Sequence, residues 1–275
     1  MVRIITDSAA DFEPNELTQL NIACIPLKVM LGDDEYEENI TLTKNRFYKL
    51  LLESKELPKT SQASPQVLID LFEEAREQGE DAIYICLSSA LSGTFQTAQM
   101  SRNMVDPERC HVFDSRNATG GQRMLVEYAV KLRDDGKSAA EILAALEDVR
   151  DRIVLFACID TLEYLYKGGR ISHTVYKLGT LANIKPIITV EPNGGIGIPA
   201  KAMGMRKGMD ILRKHLNNPD PDFPVYLMYT NNVYVAGNLK QKLGDNPPYP
   251  IIQVGAAIGS HIGPDACGLV YVAKK

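Results

Sequence analysis

The sequence predicts an α/β protein of two domains: a parallel sheet flanked by helices in residues 1–150, and an α/β domain with a mixed sheet in residues 151–275. Two patterns and the chain length predict this class. Up to residue 150, short apolar segments alternate with segments of helical periodicity, which is typical of a parallel sheet covered on both faces. Beyond residue 150 the alternation becomes irregular. A chain of 275 residues is long enough for two ordinary domains.

The first half is predicted to alternate strands with amphipathic helices. A strand broken by Pro26 and a small hairpin at Gly32 precede a helix whose N-cap is Thr43. Pro65 opens another helix, and Ser138 caps the last one. The predicted strands are residues 2–6, 22–30, 81–87 and 110–113, the other predicted helices are residues 14–21, 95–104 and 119–135, and residues 58–65 are predicted to be a loop.

The second half is predicted to have less regular elements. Pro186 favours the start or the edge of a strand, and residues 192–197 form a hairpin-like turn. Gly259 and Gly263 place His261 in a glycine-flanked turn. The predicted strands are residues 153–159, 185–190, 225–230, 251–254 and 269–273, and the predicted helices are residues 162–166, 172–181, 206–216 and 236–243.

Composition argues against several classes of partner. The chain has a net charge of −5 and no dense basic run, so neither nucleic acid nor an anionic membrane surface is expected to bind it. No segment approaches the ~20 apolar residues that span a bilayer, and the N-terminus enters a strand without a signal-peptide core, so no membrane insertion is expected. The five cysteines are scattered, which predicts free thiols in a reducing compartment and therefore a cytoplasmic protein.

A loop rich in serine and glycine, residues 88–94, follows the strand predicted over residues 81–87 and precedes a helix. Such a turn directs free backbone N–H groups outward at a helix N-terminus, which favours an anion. The loop has no lysine and lacks the Walker spacing, so it suits a single oxyanion such as a carboxylate better than a polyphosphate. A serine N-cap with a tight turn explains the same residues.

Other polar residues at loop positions have both a functional and a structural interpretation. Asp7 and Asp114 each end a strand of the predicted parallel sheet, so they are expected on the same rim as the Ser/Gly loop, and we interpret both as caps rather than as metal ligands or acid–base groups. Arg170 follows a glycine C-cap and is either an anion ligand or an anchor for the chain. Arg206 begins a helix, where the macrodipole disfavours a cation, so it indicates an anionic partner or a solvated end. No Cys/His cluster indicates zinc, and no metal site is predicted.

Eight segments in order along the chain carry a family resemblance. They are residues 5–8 (ITDS), 60–62 (TSQ), 87–94 (LSSALSGT), 113–115 (FDS), 161–172 (TLEYLYKGGRIS), 178–188 (LGTLANIKPII), 206–208 (RKG) and 261–264 (HIGP). Together they resemble the DegV family of bacterial fatty-acid-binding proteins. The resemblance implies a two-domain fold with one long-chain fatty acid, such as palmitate, stearate or oleate, between the domains. It also implies a carrier without cofactor or catalysis of its own, which presents the carboxylate to the separate ATP-binding subunit of a fatty acid kinase for acyl-phosphate formation.

The resemblance also implies roles for single residues. The implied carboxylate contacts are Thr60, Ser61, Ser92, Gly93 and His261. Arg206 matches the position implicated in engaging the kinase or its phosphate. The sequence departs from the family pattern at Ala63, Ala90, Ala182 and Asp265. We expect Asp265 to raise the affinity of His261 for a proton or to weaken acyl-phosphate binding, and Ala182 to leave a wider or differently bent tunnel.

Elementary energetics agree with a lipid carrier. A buried acyl chain gains roughly 0.8 kcal/mol per methylene, on the order of 10 kcal/mol for 16 carbons before association costs. The head group then needs only enough donors to satisfy a buried anion.

Two other functions fit the same residues. One is a hydrolase or phosphotransferase for a small acyl or phosphoryl ester, with Ser92 as nucleophile, His261 as base and Asp7 or Asp114 as orienter. The other is a nucleotide or phosphometabolite binder that uses the Ser/Gly loop.

Overall fold

The computed structural model describes residues 1–177 and 183–275. Within these ranges the strands are Val2–Asp7 (β1), Ile22–Ile25 (β2), Lys28–Leu31 (β3), Asp34–Glu37 (β4), Lys59–Ser61 (β5), Asp81–Cys86 (β6), Cys110–Asp114 (β7), Ile153–Ile159 (β8), Ile184–Val190 (β9), Ile196–Met203 (β10), Tyr226–Tyr229 (β11), Ile251–Gln253 (β12) and Ala266–Val272 (β13). The α-helices are Pro14–Gln19 (α1), Lys44–Glu53 (α2), Pro65–Glu77 (α3), Thr94–Val105 (α4), Thr119–Asp134 (α5), Ala139–Arg150 (α6), Glu163–Lys167 (α7), His173–Lys177 (α8), Gly204–His215 (α9), Val233–Leu243 (α10) and Ala256–Ile262 (α11). No helix in these ranges is both long and apolar enough to cross a bilayer.

The first sheet lies in the first half of the chain and is parallel, with the strand order β2-β1-β6-β7. Buried aliphatic residues alternate between its two faces. One face, with Ile4 opposite Ile83, packs in the hydrophobic cluster that contains Leu125 of α5. The other face, with Ile5, packs in the cluster that contains Phe72 of α3. The predicted parallel sheet flanked by helices is therefore confirmed.

The second sheet has the order β10-β9-β8-β13-β11-β12 and is parallel only between β11 and β12. Its central pair, β8 and β13, places Ala157 opposite Gly268 and Cys158 opposite Cys267. The face that carries both cysteines is covered by α9, which contributes Leu212 to the same cluster. The mixed sheet predicted for residues 151–275 is confirmed.

A third, small antiparallel sheet joins β4, β3 and β5. The strand predicted over residues 22–30 divides at Pro26, so that β2 belongs to the parallel sheet and β3 to the small one. The loop predicted over residues 58–65 contains β5, in which Thr60 pairs with Val29. A strand of three polar residues carries no hydrophobic alternation, so its sequence gives no strand signal.

Two further differences lie in the second half. The sequence does not predict β10, and the turn predicted over residues 259–264 is largely the helix α11, with His261 in its last turn. Backbone N–H groups at the start of α11 donate to the side chains of Asp11 and Glu38. A capping signal from such distant residues is invisible in the local sequence. Of the helix predicted over residues 172–181, the described part is α8, and residues 178–182 lie outside the described residues.

Helix α5 contacts strands of both sheets. A Cβ built on its Gly120 would lie 2.6 Å from Val270 Cγ1 and 3.2 Å from Ile252 Cδ1, so the helix lies directly on the second sheet. One hydrophobic cluster continues from β1 and β6 through α5 to β8 and β13. The predicted boundary at residue 150 falls between α6 and β8, and the two halves share this core.

We expect Gly120→Leu to lower the free energy of unfolding by about 1–3 kcal/mol, because the added side chain has no room against β13 and β12. Gly237→Ala in α10 is the control, since a Cβ there meets no atom within 4 Å. The control should raise stability by about 0.4–1 kcal/mol through the lower entropy of the unfolded chain. Urea unfolding followed by circular dichroism measures both changes, and equal stability of Gly120→Leu and wild type would contradict the close packing.

Candidate functional site

A cavity of about 280 Å³ lies between the parallel sheet and the mixed sheet. Both halves of the chain line it. Its wall is mainly apolar, with Leu87 from the first half and Leu155, Ile188, Ile196 and Met228 from the second. Along the strands of the mixed sheet, successive side chains point to opposite faces. One face lines the cavity, and the other packs against α9 in a hydrophobic core.

One part of the cavity wall is polar. All five residues that the sequence assigns to the carboxylate, Thr60, Ser61, Ser92, Gly93 and His261, line the cavity, and Arg170 lines it as well. They come from β5, from the loop between β6 and α4, from the segment after α7 and from α11. The structure thus brings together residues that are widely separated in the sequence, and their role toward a ligand stays a prediction.

Hydrogen bonds orient the polar side chains. Thr60 Oγ1 lies 2.8 Å from His261 Nε2. Ser92 Oγ lies 2.9 Å from Thr94 Oγ1 and accepts from the Thr94 backbone N–H at 3.2 Å. A Cβ on Gly93 would lie 2.2 Å from Gln62 Oε1, so glycine at this position lets the TSQ segment and the Ser/Gly loop approach each other. The hydroxyl groups of Thr60 and Ser92 are neutral donors that can rotate toward an oxyanion.

The imidazole of His261 is held in a neutral form. Burial, reinforced by the positive charge of Arg170, lowers the pKa of His261 to about 3. The expectation that Asp265 would raise the proton affinity of His261 is therefore wrong. Asp265 is exposed in the turn that follows α11, and the partial loss of water around its carboxyl, together with the charge of Asp160, raises the pKa of Asp265. A Cβ on Gly168 would lie 2.2 Å from His261 Nδ1, so this glycine makes room for the ring.

The neutral imidazole predicts a loss of stability in acid. Below pH 6.5 an unfolded histidine takes up a proton that folded His261, with its pKa of about 3, does not bind. The free energy of unfolding should therefore fall as the pH decreases from 6.5 toward 3, by at most about 1.4 kcal/mol per pH unit. His261→Gln should remove that part of the slope in urea unfolding between pH 7 and pH 4. His173→Gln, at an exposed position, is the control, and equal slopes for wild type and His261→Gln would contradict a buried neutral ring.

Arg170 acts as an anchor and brings a charge to the cavity. Its Nε donates to the Leu91 carbonyl oxygen at 3.0 Å, and its Nη1 donates to the Gly168 carbonyl oxygen. No described residue accepts a hydrogen bond from its Nη2. Among the described residues that line the cavity, Arg170 alone carries a charged side chain. From the sequence alone, Arg170 could be either an anion ligand or an anchor for the chain. In the structure it anchors the chain and also places its positive charge at the cavity wall.

Arg206 does not line the cavity. It is exposed on α9, which covers the opposite face of the mixed sheet. Its predicted contact with a partner or a phosphate stays a prediction. The macrodipole of α9 disfavours this cation on the first turn of the helix.

The carboxylates at the edge of the parallel sheet are structural, as predicted. Asp7 accepts from the backbone N–H groups of Ala9 at 3.1 Å and Leu87 at 2.9 Å. Asp114 accepts from the backbone N–H groups of Ser89 at 3.1 Å and Arg116 at 2.9 Å. Both carboxylates therefore fix the loops that follow β1, β6 and β7. Among the described residues, no group of three or more His, Cys, Asp or Glu side chains is placed to hold a metal ion.

The catalytic arrangement considered for a hydrolase is not formed. His261 Nε2 pairs with Thr60 rather than with Ser92, and no described residue hydrogen-bonds to His261 Nδ1. Asp7 and Asp114 are bound to backbone N–H groups and do not contact the imidazole. A histidine of lowered pKa without an orienting carboxylate is a poor general base.

Sequence reasoning missed part of the site. Thr119, Met228 and Thr230 line the cavity, and Thr119 Oγ1 lies 3.0 Å from Met228 Sδ. Met228 and Thr230 have the two-residue spacing of one strand face within the strand predicted over residues 225–230, so this alternation was an available signal. Thr119 was predicted only as the start of a helix, and its positive φ of 50°, which belongs to the turn into α5, has no signature in the sequence.

Known proteins resemble this chain over its whole length. The profile of a family described as "Uncharacterised protein, DegV family" matches residues 1–274. The chain belongs to the DegV family. A DegV domain-containing protein of Caldanaerobacter subterraneus subsp. tengcongensis is 34% identical over 279 residues, which cover 99% of each chain.

Solved DegV structures share the fold. A DegV family protein from Thermus thermophilus, described by its fatty acid binding, matches with a TM-score of 0.87 and 27% identity over 99% of each chain. DegV from Bacillus subtilis, described as a fatty acid binding protein, matches with a TM-score of 0.87 and 29% identity over 99% of each chain. The match over the full length shows that both sheets of this chain belong to the DegV fold.

Proposed function

We propose that this DegV protein binds one long-chain fatty acid, with the acyl chain in the cavity between the sheets and the carboxylate among Thr60, Ser61, Ser92 and His261. The observation that carries the proposal is the composition of the cavity wall, which is mainly apolar and brings one cluster of neutral donors together with one cation. A fatty acid has the same division into a long apolar part and one anionic end. The DegV proteins of T. thermophilus and B. subtilis, both described as binding fatty acids, support it.

The energetics of such a complex divide between the two ends. Burial of the acyl chain supplies most of the affinity, at roughly 0.8 kcal/mol per methylene. The carboxylate must exchange water for protein donors, because an unsatisfied buried anion is costly. Thr60 and Ser92 provide hydroxyl donors, and Arg170 provides the compensating charge.

We further propose that the protein presents the carboxylate to the ATP-binding subunit of a fatty acid kinase in the cytoplasm. The resemblance of the TSQ, Ser/Gly and HIGP segments supports this role, and Arg206 is available on the surface for a partner. The five cysteines are free, which agrees with a reducing compartment. A chain that carries the substrate need not contain the nucleotide site, and the Ser/Gly loop lacks the lysine of a Walker loop.

Denaturing extraction of the purified protein, followed by mass spectrometry of the released lipids, tests the binding proposal. About one fatty acid per chain supports it and names the preferred acyl group. A chain that is purified empty and does not take up added palmitate or oleate overturns it. To test presentation, the loaded protein is mixed with γ-phosphate-labelled ATP and the ATP-binding subunit of a bacterial fatty acid kinase. Labelled phosphate should appear on the lipid only when both proteins are present.

A further inference from the structure

Two buried carboxyl groups lie at the N-terminus of α11, outside the cavity. Asp11 and Glu38 are each only 1% exposed. Asp11 Oδ1 accepts from the Gly255 backbone N–H at 2.8 Å, and Glu38 Oε1 accepts from the Ala257 backbone N–H at 3.1 Å. The two acids come from the loops after β1 and β4, so the first half of the chain caps a helix that belongs to the second half.

The two carboxyl groups are close to each other. A Cβ built on Gly255 would lie 2.2 Å from Glu38 Oε1 and 2.9 Å from Asp11 Oδ1, so both groups border the same point. Two like charges this near, both removed from water, cannot both be ionised without a large cost. Glycine at position 255 is required because any side chain would displace one of the acids.

The nearby cations of the described chain lower the pKa of the pair only through space, without a hydrogen bond to either carboxyl group. Lys44 Nζ donates to the backbone carbonyl of Asp11 at 2.9 Å and to Glu13 Oε1 at 2.7 Å, and so bonds to neither of the two carboxyl groups. Arg123 also faces the pair but is engaged by Glu16. The remaining titratable groups that face the pair are Cys24, Tyr48 and, through Lys44, Tyr229.

Hydrogen bonding indicates which of the two acids holds a proton. Glu38 accepts from Ser8 Oγ at 2.6 Å and from the start of α11, as an anion requires. Asp11 Oδ2 has no hydrogen-bond partner among the described residues. Burial and the charge of Glu38, against the opposing charge of Lys44, raise the pKa of Asp11 to about 8. Burial raises the pKa of Glu38 as well, but the hydrogen bonds from Ser8 and Ala257 favour its charged form, so we assign the proton at neutral pH to Asp11.

The helix that these acids cap forms part of the cavity wall. Ala257, Ile258, His261 and Ile262 of α11 all line the cavity. A shift of α11 would move His261 away from Thr60 and change the polar end of the site. We propose that Asp11 and Glu38 form a coupled pair of buried carboxyl groups, of which one stays protonated at neutral pH, and that this pair determines the position of α11 and of His261. Its consequence for a bound fatty acid rests on the proposed function.

The sign of the pH effect follows from the raised pKa of Asp11. When α11 moves away and Asp11 meets water, the carboxyl regains its ordinary pKa of 3.8 and loses the proton at neutral pH. Above pH 7, where His261 is neutral whether or not α11 is docked, docking of α11 therefore weakens as the pH rises, by at most tenfold per pH unit, until the docked form also ionises near pH 8. Above pH 8 the docking equilibrium should change no further. Below pH 6.5 the displaced His261 takes up a proton and opposes the effect of Asp11.

Hydrogen–deuterium exchange on the ligand-free protein tests the pair. After correction for intrinsic rates, protection of residues 256–262 should fall between pH 7 and pH 8 in wild type and should be flat in Asp11→Asn, because His261 adds no slope above its ordinary pKa of 6.5. Helix α6 is the internal reference, because the pKa of its capping Glu141 is lowered to about 2 and lies outside this range. In Glu38→Gln the fall should end at a lower pH, since the neighbouring charge is gone. This second variant and the wild-type profile decide the question if Asp11→Asn does not fold.

Fatty-acid affinity provides the functional readout. Glu38→Ala leaves N–H groups of α11 without an acceptor and should weaken binding about tenfold, whereas Glu38→Gln, which keeps an acceptor, should restore most of the affinity. A flat wild-type exchange profile, or equal profiles for wild type and Asp11→Asn, overturns the pair even if lipid binds. Absence of lipid binding with the expected exchange profiles overturns the proposed function and leaves the pair supported.

Discussion

Replacing Ala157 with phenylalanine should abolish fatty-acid binding while leaving the protein folded. Ala157 lies in β8 at the centre of the mixed sheet, is 7% exposed and lines the cavity. A benzyl group at this position has to occupy the space assigned to the acyl chain, because Gly268 and the neighbouring strands on either side leave it no other direction. Filling an existing cavity costs little stability compared with overpacking a closed core.

The measurement is the number of fatty acids released per chain on denaturing extraction, expected to fall from about one to near zero. Ala140→Phe, at an exposed position of α6, is the matched control and should keep its lipid. Ala157→Leu should fill less of the cavity and shift the bound population toward shorter chains, since each excluded methylene loses roughly 0.8 kcal/mol. Retention of one long-chain fatty acid by Ala157→Phe would place the lipid outside this cavity.

Much of the fold could be predicted because its signals are local. Periodicity located most strands and helices, and cap residues such as Thr43 and Ser138 act where the sequence places them. The errors occur where a distant segment decides the local structure. The strand β5 exists because it pairs with β3, and α11 forms with its N-terminus bound by Asp11 and Glu38, 244 and 219 residues away from the groups that they bind. Such tertiary contacts override weak local preferences.

The candidate site also combines features that the sequence predicts with features that depend on tertiary contacts. The residues taken from the TSQ, Ser/Gly and HIGP segments lie together in the cavity, although no local pattern connects them. Their chemistry was harder to predict. The lowered pKa of His261 depends on burial and on Arg170, and neither was visible from the acid four residues further along the chain. The alternating face of β11, with Met228, was visible but carries no chemical signature that distinguishes a cavity wall from a core.

Replacing Arg170 with glutamine should weaken the binding of a fatty acid and spare that of the corresponding alcohol. A charged hydrogen bond to a buried carboxylate is worth about 1.5–3 kcal/mol, so palmitate affinity should fall about 10- to 100-fold. Hexadecanol presents the same acyl surface without a charge, and its affinity should change little. Arg170 is the one charged side chain among the described residues of the cavity wall, so no neighbour replaces it.

The comparison of acid and alcohol separates the charge of Arg170 from its anchoring role. Its hydrogen bonds to Leu91 and Gly168 hold the Ser/Gly loop and the end of α7, and their loss would weaken both ligands alike. Lys167→Gln removes the same charge from the exposed face of α7 and should change neither affinity. Equal weakening of palmitate and hexadecanol would therefore assign Arg170 to the scaffold alone. The carboxylate would then rest on the neutral donors of Thr60 and Ser92, the arrangement that the lysine-free loop first indicated.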